Sequence, residues 1–421
     1  MATLRVSENR RTLLRDGQPF FWLADTCWSA FTNISDQEWE EYLDLRASQG
    51  FNVLQISALP HPYRCGSSLG FLPFPSQDGF RFDFSRMDPL YFDRAAWMCS
   101  RAVEKGLTPA IAVLWQNYVS GIRTTAAGGD NVIPEAYLEP ILRKIAETFR
   151  PFQPVWLLSG DADWTSPEAV RRYGMAADLL SRYAPEGLRA WYMKERCDEV
   201  PAQLDGYADL YLYQSGQDRD AQAGAVTLAS ALLSRSPRKP VLNAGPCFEQ
   251  AGYSRGQYGR FRRGEIRAAM WNSLLSGACA GITYGANGVW NWQKYGMPRN
   301  PADSGGGMQG FEARQAILLP GAWDYSFGRR LFEESGWTMA EPCQETLVNY
   351  RNEVRAARVE NLLLLYVPTN VPLILHGTYS SCTAVDLDAY AKCDVPRTSQ
   401  GGKTYLPLHP YFQDALLILE C

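Results

Sequence analysis

Eight short apolar runs, each ending in polar residues and most followed by a stretch of helical character, constrain this chain more than any other feature. They read 20-FFWLAD-25, 52-NVLQISA-58, 108-TPAIAVLW-115, 154-PVWLLSGD-161, 188-LRAWYMK-194, 209-DLYLYQS-215, 240-PVLNAG-245 and 280-AGITYG-285. Runs that are apolar throughout, rather than alternating, suit parallel strands buried on both faces. Helical patterns lie between them. Ser35 and Glu38 stand three apart, as in a capping box, and Trp39, Tyr42, Leu43 and Arg46 follow at helical spacing. Ser166-Pro167-Glu168 reads as a helix start with proline at the first helical position. Residues 89–105, 134–149, 221–234 and 264–277 read as helices too. About eight strand–helix units in succession predict an α/β fold, a (β/α)8 TIM barrel. The competitor is an open doubly wound sheet. No G-x-G-x-x-G follows any run, so its dinucleotide-binding version lacks support.

The texture changes after about residue 335. Residues 348–359, 361–367 (NLLLLYV), 371–375 and 415–419 are strand-like and separated by Gly, Pro, Ser and Asn. We therefore expect a catalytic barrel over 1–337 and a small antiparallel β-sandwich domain over 338–421. The chain of 421 residues, 46% hydrophobic and 20% charged, can bury a core that needs no staple. A net charge of −4 and the lack of a basic stripe argue against a nucleic-acid partner; Arg260-Phe261-Arg262-Arg263 is too short to count. No apolar stretch has the length of a signal peptide core at the N-terminus or of a membrane span elsewhere. Ten scattered cysteines without a C-x-x-C pair fit free thiols. A cytoplasmic protein with no membrane contact is expected; the oligomeric state stays open.

In a barrel, functional groups project from the C-terminal ends of the strands. There the sequence places Asp25, Trp28, Gln55, Trp115, Gln116, Asn117, Asp161, Asp163, Lys194 and Glu195, and further on Gln214, Gln217, Glu249, Tyr284, Asn287 and Trp290. The set is rich in acids, amides and aromatics and holds no histidine. Of the three histidines, only His61 is near a strand end, so a Ser-His-Asp relay or a zinc site is poorly supplied. A magnesium site on Asp161 and Asp163 would rest on two acids alone. No cofactor or metal is expected. Paired acids amid amides and aromatic planes suit glycoside hydrolysis, in which one acid protonates the leaving oxygen and the other attacks the anomeric carbon or activates water. The partner is then a small-molecule carbohydrate substrate.

Asp161 is read as the proton donor, the alternative being a helix cap or salt-bridge partner near Ser166. Asp163 is read as structural. Asp25 is read as an acceptor for a substrate hydroxyl, or else as a core acid capping its turn. Gln55, Gln116, Gln214, Tyr284 and Asn287 can bind hydroxyls, or can satisfy the backbone instead. Trp28, Trp115 and Trp290 offer apolar planes to a sugar, against a plain core role. Lys194 and Glu195 either reach the pocket or are solvated.

The segments 7-SENRRTLLRDGQPFFWLADTCW-28, 50-GFNVLQ-55, 154-PVWLLSGD-161, 211-YLYQSG-216, 240-PVLNAGPCFE-249 and 267-RAAMWNSLLSGACAGITYGANGVW-290 together resemble the apiosidase-like glycoside hydrolases. In that family the catalytic domain precedes a β domain described as collagen-binding. The resemblance spans nearly the whole chain. It implies a (β/α)8 barrel, exo-acting release of a terminal sugar, apiose in the type activity, and a retaining carboxylate pair. Asp161 matches the family's acid/base at the end of strand 4. The family's strand 7 carries Gly-Glu-Pro, an aromatic residue and a second Glu, where this chain has Ala244-Gly245-Pro246, then Phe248 and Glu249. The acid that the resemblance implies as nucleophile is thus replaced by Gly245. The segment 192-YMKERC-197 also departs, since the family often has histidine there. Three readings follow: a Glu-to-Gly exchange made to trap substrate, a natural shift of the working acid to Glu249, or a pseudo-enzyme that binds glycan without cutting it. Glu249 also has a bland reading, as an acid that orients the pocket or pairs with Arg260 or Arg262.

Overall fold

The computed structural model describes residues 3–61, 67–122, 131–254, 256–297 and 309–421. The eight apolar runs form a closed parallel barrel of β1 (Trp22–Thr26), β2 (Val53–Ser57), β3 (Thr108–Ala112), β4 (Val155–Leu157), β5 (Arg189–Glu195), β6 (Leu210–Gln214), β7 (Val241–Asn243) and β8 (Gly281–Tyr284), with β8 pairing back onto β1. The strands are continuous in apolar character because one face fills the barrel and the other meets helices. Trp191 shows the outward face: its Nε1 donates to the Leu204 carbonyl at 2.9 Å. Tyr192, next in line, turns inward.

The outer ring comprises α1 (Asp36–Ser48), α2 (Pro89–Glu104), α3 (Glu135–Phe149), α4 (Pro167–Tyr183), α5 (Gly224–Leu233), α6 (Arg263–Leu274) and α7 (Gly321–Glu334), with shorter turns such as Ala202–Asp205. Both helix starts read from the sequence are made. Ser35 accepts from the Glu38 N–H while Glu38 reaches back to the Ser35 N–H, and Ser166 Oγ accepts from the Ala169 N–H at 3.0 Å. A three-stranded antiparallel sheet, from Leu4–Val6, Leu13–Arg15 and Gln18–Phe20, lies at the N-terminal end of the barrel, where Arg15 bonds Thr108 at the start of β3. Sequence patterning had not marked this sheet, nor α7.

Beyond α7 the strands become antiparallel. A six-stranded sheet is built from β9 (Glu341–Pro342), β10 (Arg355–Val359), β11 (Leu362–Val367), β13 (Ser381–Asp386), β14 (Lys392–Asp394) and β17 (Ala415–Glu420), in the order β9-β10-β11-β17-β13-β14. The smaller sheet joins β12 (Leu373–His376), β15 (Thr398–Gln400) and β16 (Lys403–Leu406). Leu363, Leu365 and Val367 face a core shared with Leu373 and Leu375 of the smaller sheet. Leu364 and Tyr366, on the opposite face, join the barrel's core. Residues 348–354, expected as strand, are turn instead. Buried ions seal the junction: Arg267 of α6 donates from Nε to Asp414 at 2.9 Å, and Tyr366 adds its hydroxyl to Asp414 at 3.1 Å. Among the described residues no helix is long and apolar enough to cross a membrane.

Candidate active site

The tips of β4, β5, β6 and β7 converge on one side chain, Gln214. Its Nε2 donates to Asp161 Oδ1 at 2.6 Å and to the Met193 carbonyl at 2.6 Å. Its carbonyl end lies against β7, where a Cβ built on Gly245 would stand 2.6 Å from Gln214 Oε1. Asp161 and Gly245 are therefore separated by the width of one carboxamide, and Gln214 fills the volume that a side chain at 245 would need.

Local sequence explains this convergence. At the end of β4, Gly160 is obligatory, since a Cβ there would fall 1.8 Å from the Trp115 ring. The backbone can then pair with Trp115 and present Asp161 in the left-handed region, at φ 51°. Aspartate is among the few residues that adopt this region routinely. At β7, Asn243 ends the strand by using its side chain as a peptide substitute. It donates to Ser215 Oγ and Ser273 Oγ, each at 2.9 Å, and accepts from the Gly245 N–H at 3.3 Å.

An aromatic wall stands beside this cluster. Trp28 meets Trp115 and Tyr192 edge-on, with ring centroids 4.9 and 5.1 Å away, and His61 lies 4.1 Å from Trp115. Tyr192 donates to the Ala244 carbonyl at 3.2 Å, which ties the wall to β7. Among the described residues, Trp115 Nε1 and both amide atoms of Asn117 are buried without a hydrogen-bond partner. Buried polar groups left in this condition cost free energy until something pairs with them. Gln116 is half-buried nearby. Asn287 donates to the Gln250 carbonyl at 3.1 Å and accepts from Trp290 Nε1 at 3.4 Å, so this pair braces the β8 loop. His61 and Tyr192 were not among the expected pocket residues; their alternation with outward Trp191, for Tyr192, was the available signal.

Four expected site residues do not reach the mouth. Asp25 is fully buried and accepts from Arg46 Nε at 2.6 Å and from the Tyr42 hydroxyl at 2.8 Å, both on α1. Tyr284, its neighbour in register on β8, faces the same helix layer. There its hydroxyl donates to Glu249 Oε2 at 2.7 Å. Glu249 also accepts from the Gly321 N–H at 2.9 Å, so it caps the start of α7, away from Arg260 and Arg262. Burial pushes the Glu249 carboxyl above its ordinary range, while Tyr284 and Gly321 pull it back. Gln55 lies inside the barrel, where its Nε2 donates to the Ala244 carbonyl at 3.1 Å and to Thr26 at 3.3 Å. For Asp25 and Tyr284 the physical reason is parity: successive strand residues face opposite sides, so closeness to a strand end does not place a residue at the mouth. Gln55 has the inward face but is fully buried, its amide spent within the barrel.

Beyond Met193, Lys194 pairs with Asp163 at 3.0 Å. Burial works against the Asp163 charge, but Lys194 and the Thr165 N–H hold its carboxyl below its ordinary value. Glu195, the last residue of β5, accepts from the Gln217 N–H at 3.1 Å. Gln217 in turn braces the β7 turn, donating to the Pro246 carbonyl and accepting from the Phe248 N–H. Among the described residues no group of three His, Cys, Asp or Glu could hold a metal. A cavity of about 340 Å³ opens between Leu4, Arg150, Trp156 and Glu186, but it lies at the N-terminal ends of the strands, opposite the mouth.

An eight-stranded parallel barrel that gathers an acid, an amide and aromatic rings at the C-terminal ends of its strands has the layout in which barrel enzymes place their active sites. The chain belongs to the apiosidase-like family, whose catalytic domain matches residues 7–339, and is by that membership a glycoside hydrolase. Two solved structures are similar throughout. One is described as a glycoside hydrolase, with TM-score 0.81 and 18% identity over 99% of this chain and 96% of that one. The other is a glycoside hydrolase family 5 protein from Bacteroides vulgatus, with TM-score 0.81 and 18% identity over 99% of this chain and 93% of that one. At such identity the likeness establishes the fold. No curated protein matches the sequence.

Proposed function

We propose that this protein is an exo-acting glycoside hydrolase. It releases a terminal furanose or pentose-like sugar, apiose being the family's type, from a small glycan or plant glycoside, with Asp161 as the proton donor. The observation that carries the reading is Gln214, which bonds Asp161 and fills the space between the tips of β4 and β7. The aromatic wall and the unpaired Trp115 and Asn117 groups supply planes and hydrogen bonds of the kind a sugar ring takes. Membership of the family supports the sugar class.

A retaining, two-carboxylate mechanism would need an acid at 245, and Glu249 cannot serve because it caps α7. The glycine at 245 favours a second reading, a barrel that holds glycan without cutting it. Turnover of aryl furanosides and aryl pentopyranosides separates the two. Cleavage of at least one, lost in Asp161→Asn, is expected. Saturable sugar binding with no cleavage of any aryl glycoside would replace the hydrolase by the binder.

A further inference from the structure

The fifth barrel strand ends in an irregularity. Tyr192 pairs with Leu212 and Glu195 with Gln214, so three steps along β5 match two along β6. An inserted residue of this kind re-aims the side chains beyond it. Cross-strand partners share a face, so Glu195 takes the face of Gln214, the mouth. Without the insertion Lys194 would occupy that register. Instead it is turned away to Asp163, at 3.0 Å. The bulge thus exchanges a cation for an acid at the mouth.

The surroundings hold this acid in place. A Cβ on Gly216, which sits at φ +79°, would stand 2.5 Å from the Glu195 carboxyl carbon, so the glycine admits the carboxylate. The Gln217 N–H fixes Oε1 at 3.1 Å, and the Gly216 N–H binds the Gly245 carbonyl at 3.0 Å, joining the same turn to the tip of β7. The cations on either side in sequence are committed elsewhere, Lys194 to Asp163 and Arg196 to Asp218 at 3.3 Å.

We propose that Glu195 is the second carboxylate of the site and the base that activates water. The proposal rests on the hydrolase reading above. Gln214 fills the position beside Gly245 from which a nucleophile would touch the sugar, and Glu195 lies against the Gly216 turn instead, so its role is assigned to water activation rather than to direct attack. The Glu195 carboxylate removes a proton from that water as its oxygen bonds to the anomeric carbon. The bond from that carbon to the leaving oxygen breaks, and Asp161 delivers its proton there. Water is the only co-reactant, and the anomeric configuration inverts.

The test uses phenyl and dinitrophenyl glycosides of whichever sugar the chain cleaves. Glu195→Gln keeps an acceptor for the Gln217 N–H and is expected to fold normally. Its kcat should fall about 10²- to 10⁴-fold on both substrates, because a base is needed whatever the leaving group. Asp161→Asn should suffer chiefly on the phenyl glycoside, since dinitrophenolate leaves without a proton. Glu195→Gln should also lose the acidic limb of the kcat/KM profile, and the first sugar seen by NMR should be the inverted anomer. Glu195→Asp, with its charge kept and its reach shortened, should retain part of the rate. A Glu195→Gln enzyme within about threefold of the parent kcat, or a retained anomer, overturns the assignment while leaving the hydrolase intact. A parent that cleaves nothing overturns both.

Discussion

The C-terminal end of the barrel has two unlike halves. On the β8–β1 side every acid is consumed: Asp25 by Arg46 and Tyr42, Glu249 by Tyr284 and the start of α7. These groups face the helix layer and are sealed from water. On the β4–β7 side, Asp161 accepts from the Gln214 carboxamide and Glu195 from the Gln217 backbone N–H, and both are half-buried. An acid locked to a cation in the core serves the fold. An acid on the half-buried rim is within reach of substrate, as proton transfer in catalysis requires. What distinguishes the halves is the face and the depth of burial, since both lie at strand ends.

The comparison breaks most visibly at Asp161. Asp161→Asn keeps an acceptor for Gln214, so stability should change little, while turnover of a glycoside with a poor leaving group falls up to about 10⁴-fold. Steady-state kinetics beside urea unfolding checks this. A variant that melts early, or that cleaves at the parental rate, would place Asp161 with the structural acids.

Asp25→Ala should do the reverse. It strands Arg46, whose side chain is 0% exposed, without its carboxylate. Breaking such a buried pair costs about 3–5 kcal/mol, read as a lower urea midpoint at unchanged slope. The double variant Asp25→Leu with Arg46→Met should recover much of that loss, because burying two apolar groups in place of the pair removes the charge left behind. If the folded fraction of Asp25→Ala keeps parental kcat and KM, Asp25 is confirmed as a residue of the fold; a kcat loss without a stability loss would return it to the site.

Most of the framework was legible in the sequence. Each of the eight apolar runs is a barrel strand, because burial on both faces leaves a continuous signal. Ser35 and Ser166 announce their helices because capping is local chemistry. The site was legible only in part. That Asp161 and Gln214 stand at strand tips follows from strand position, but which face Asp25 and Tyr284 take depends on parity within a closed sheet, and Gln55, though inward, is spent on bonds inside the barrel. Parity at the end of β5 depends on an insertion that no residue type announces. The run NLLLLYV shows the converse: it resembles a parallel strand, yet β11 is antiparallel. It is apolar throughout because its faces serve two cores, the barrel's and the sandwich's.

The smallest expected effect separates burial from bonding at Glu249. Its two donors among the described residues, the Tyr284 hydroxyl and the Gly321 N–H, act on Oε2, and an amide oxygen can accept from both. Glu249→Gln should therefore cost less than about 1 kcal/mol near neutral pH, whereas Glu249→Ala leaves two buried donors unpaired at about 1–3 kcal/mol each. The pH dependence gives the sharper reading. Burial raises the folded-state pKa of Glu249 above its unfolded value. In the window between those values the folded chain holds more protons than the unfolded one, so this group makes stability fall as pH rises through it. Stability differences between the parent and Glu249→Gln, measured from pH 4 to pH 8 (roughly the span from the ordinary glutamate pKa upward), should shift in favour of the glutamine variant as pH increases. A difference that stays flat, or moves the other way, would mean that the carboxylate is held ionised by its donors.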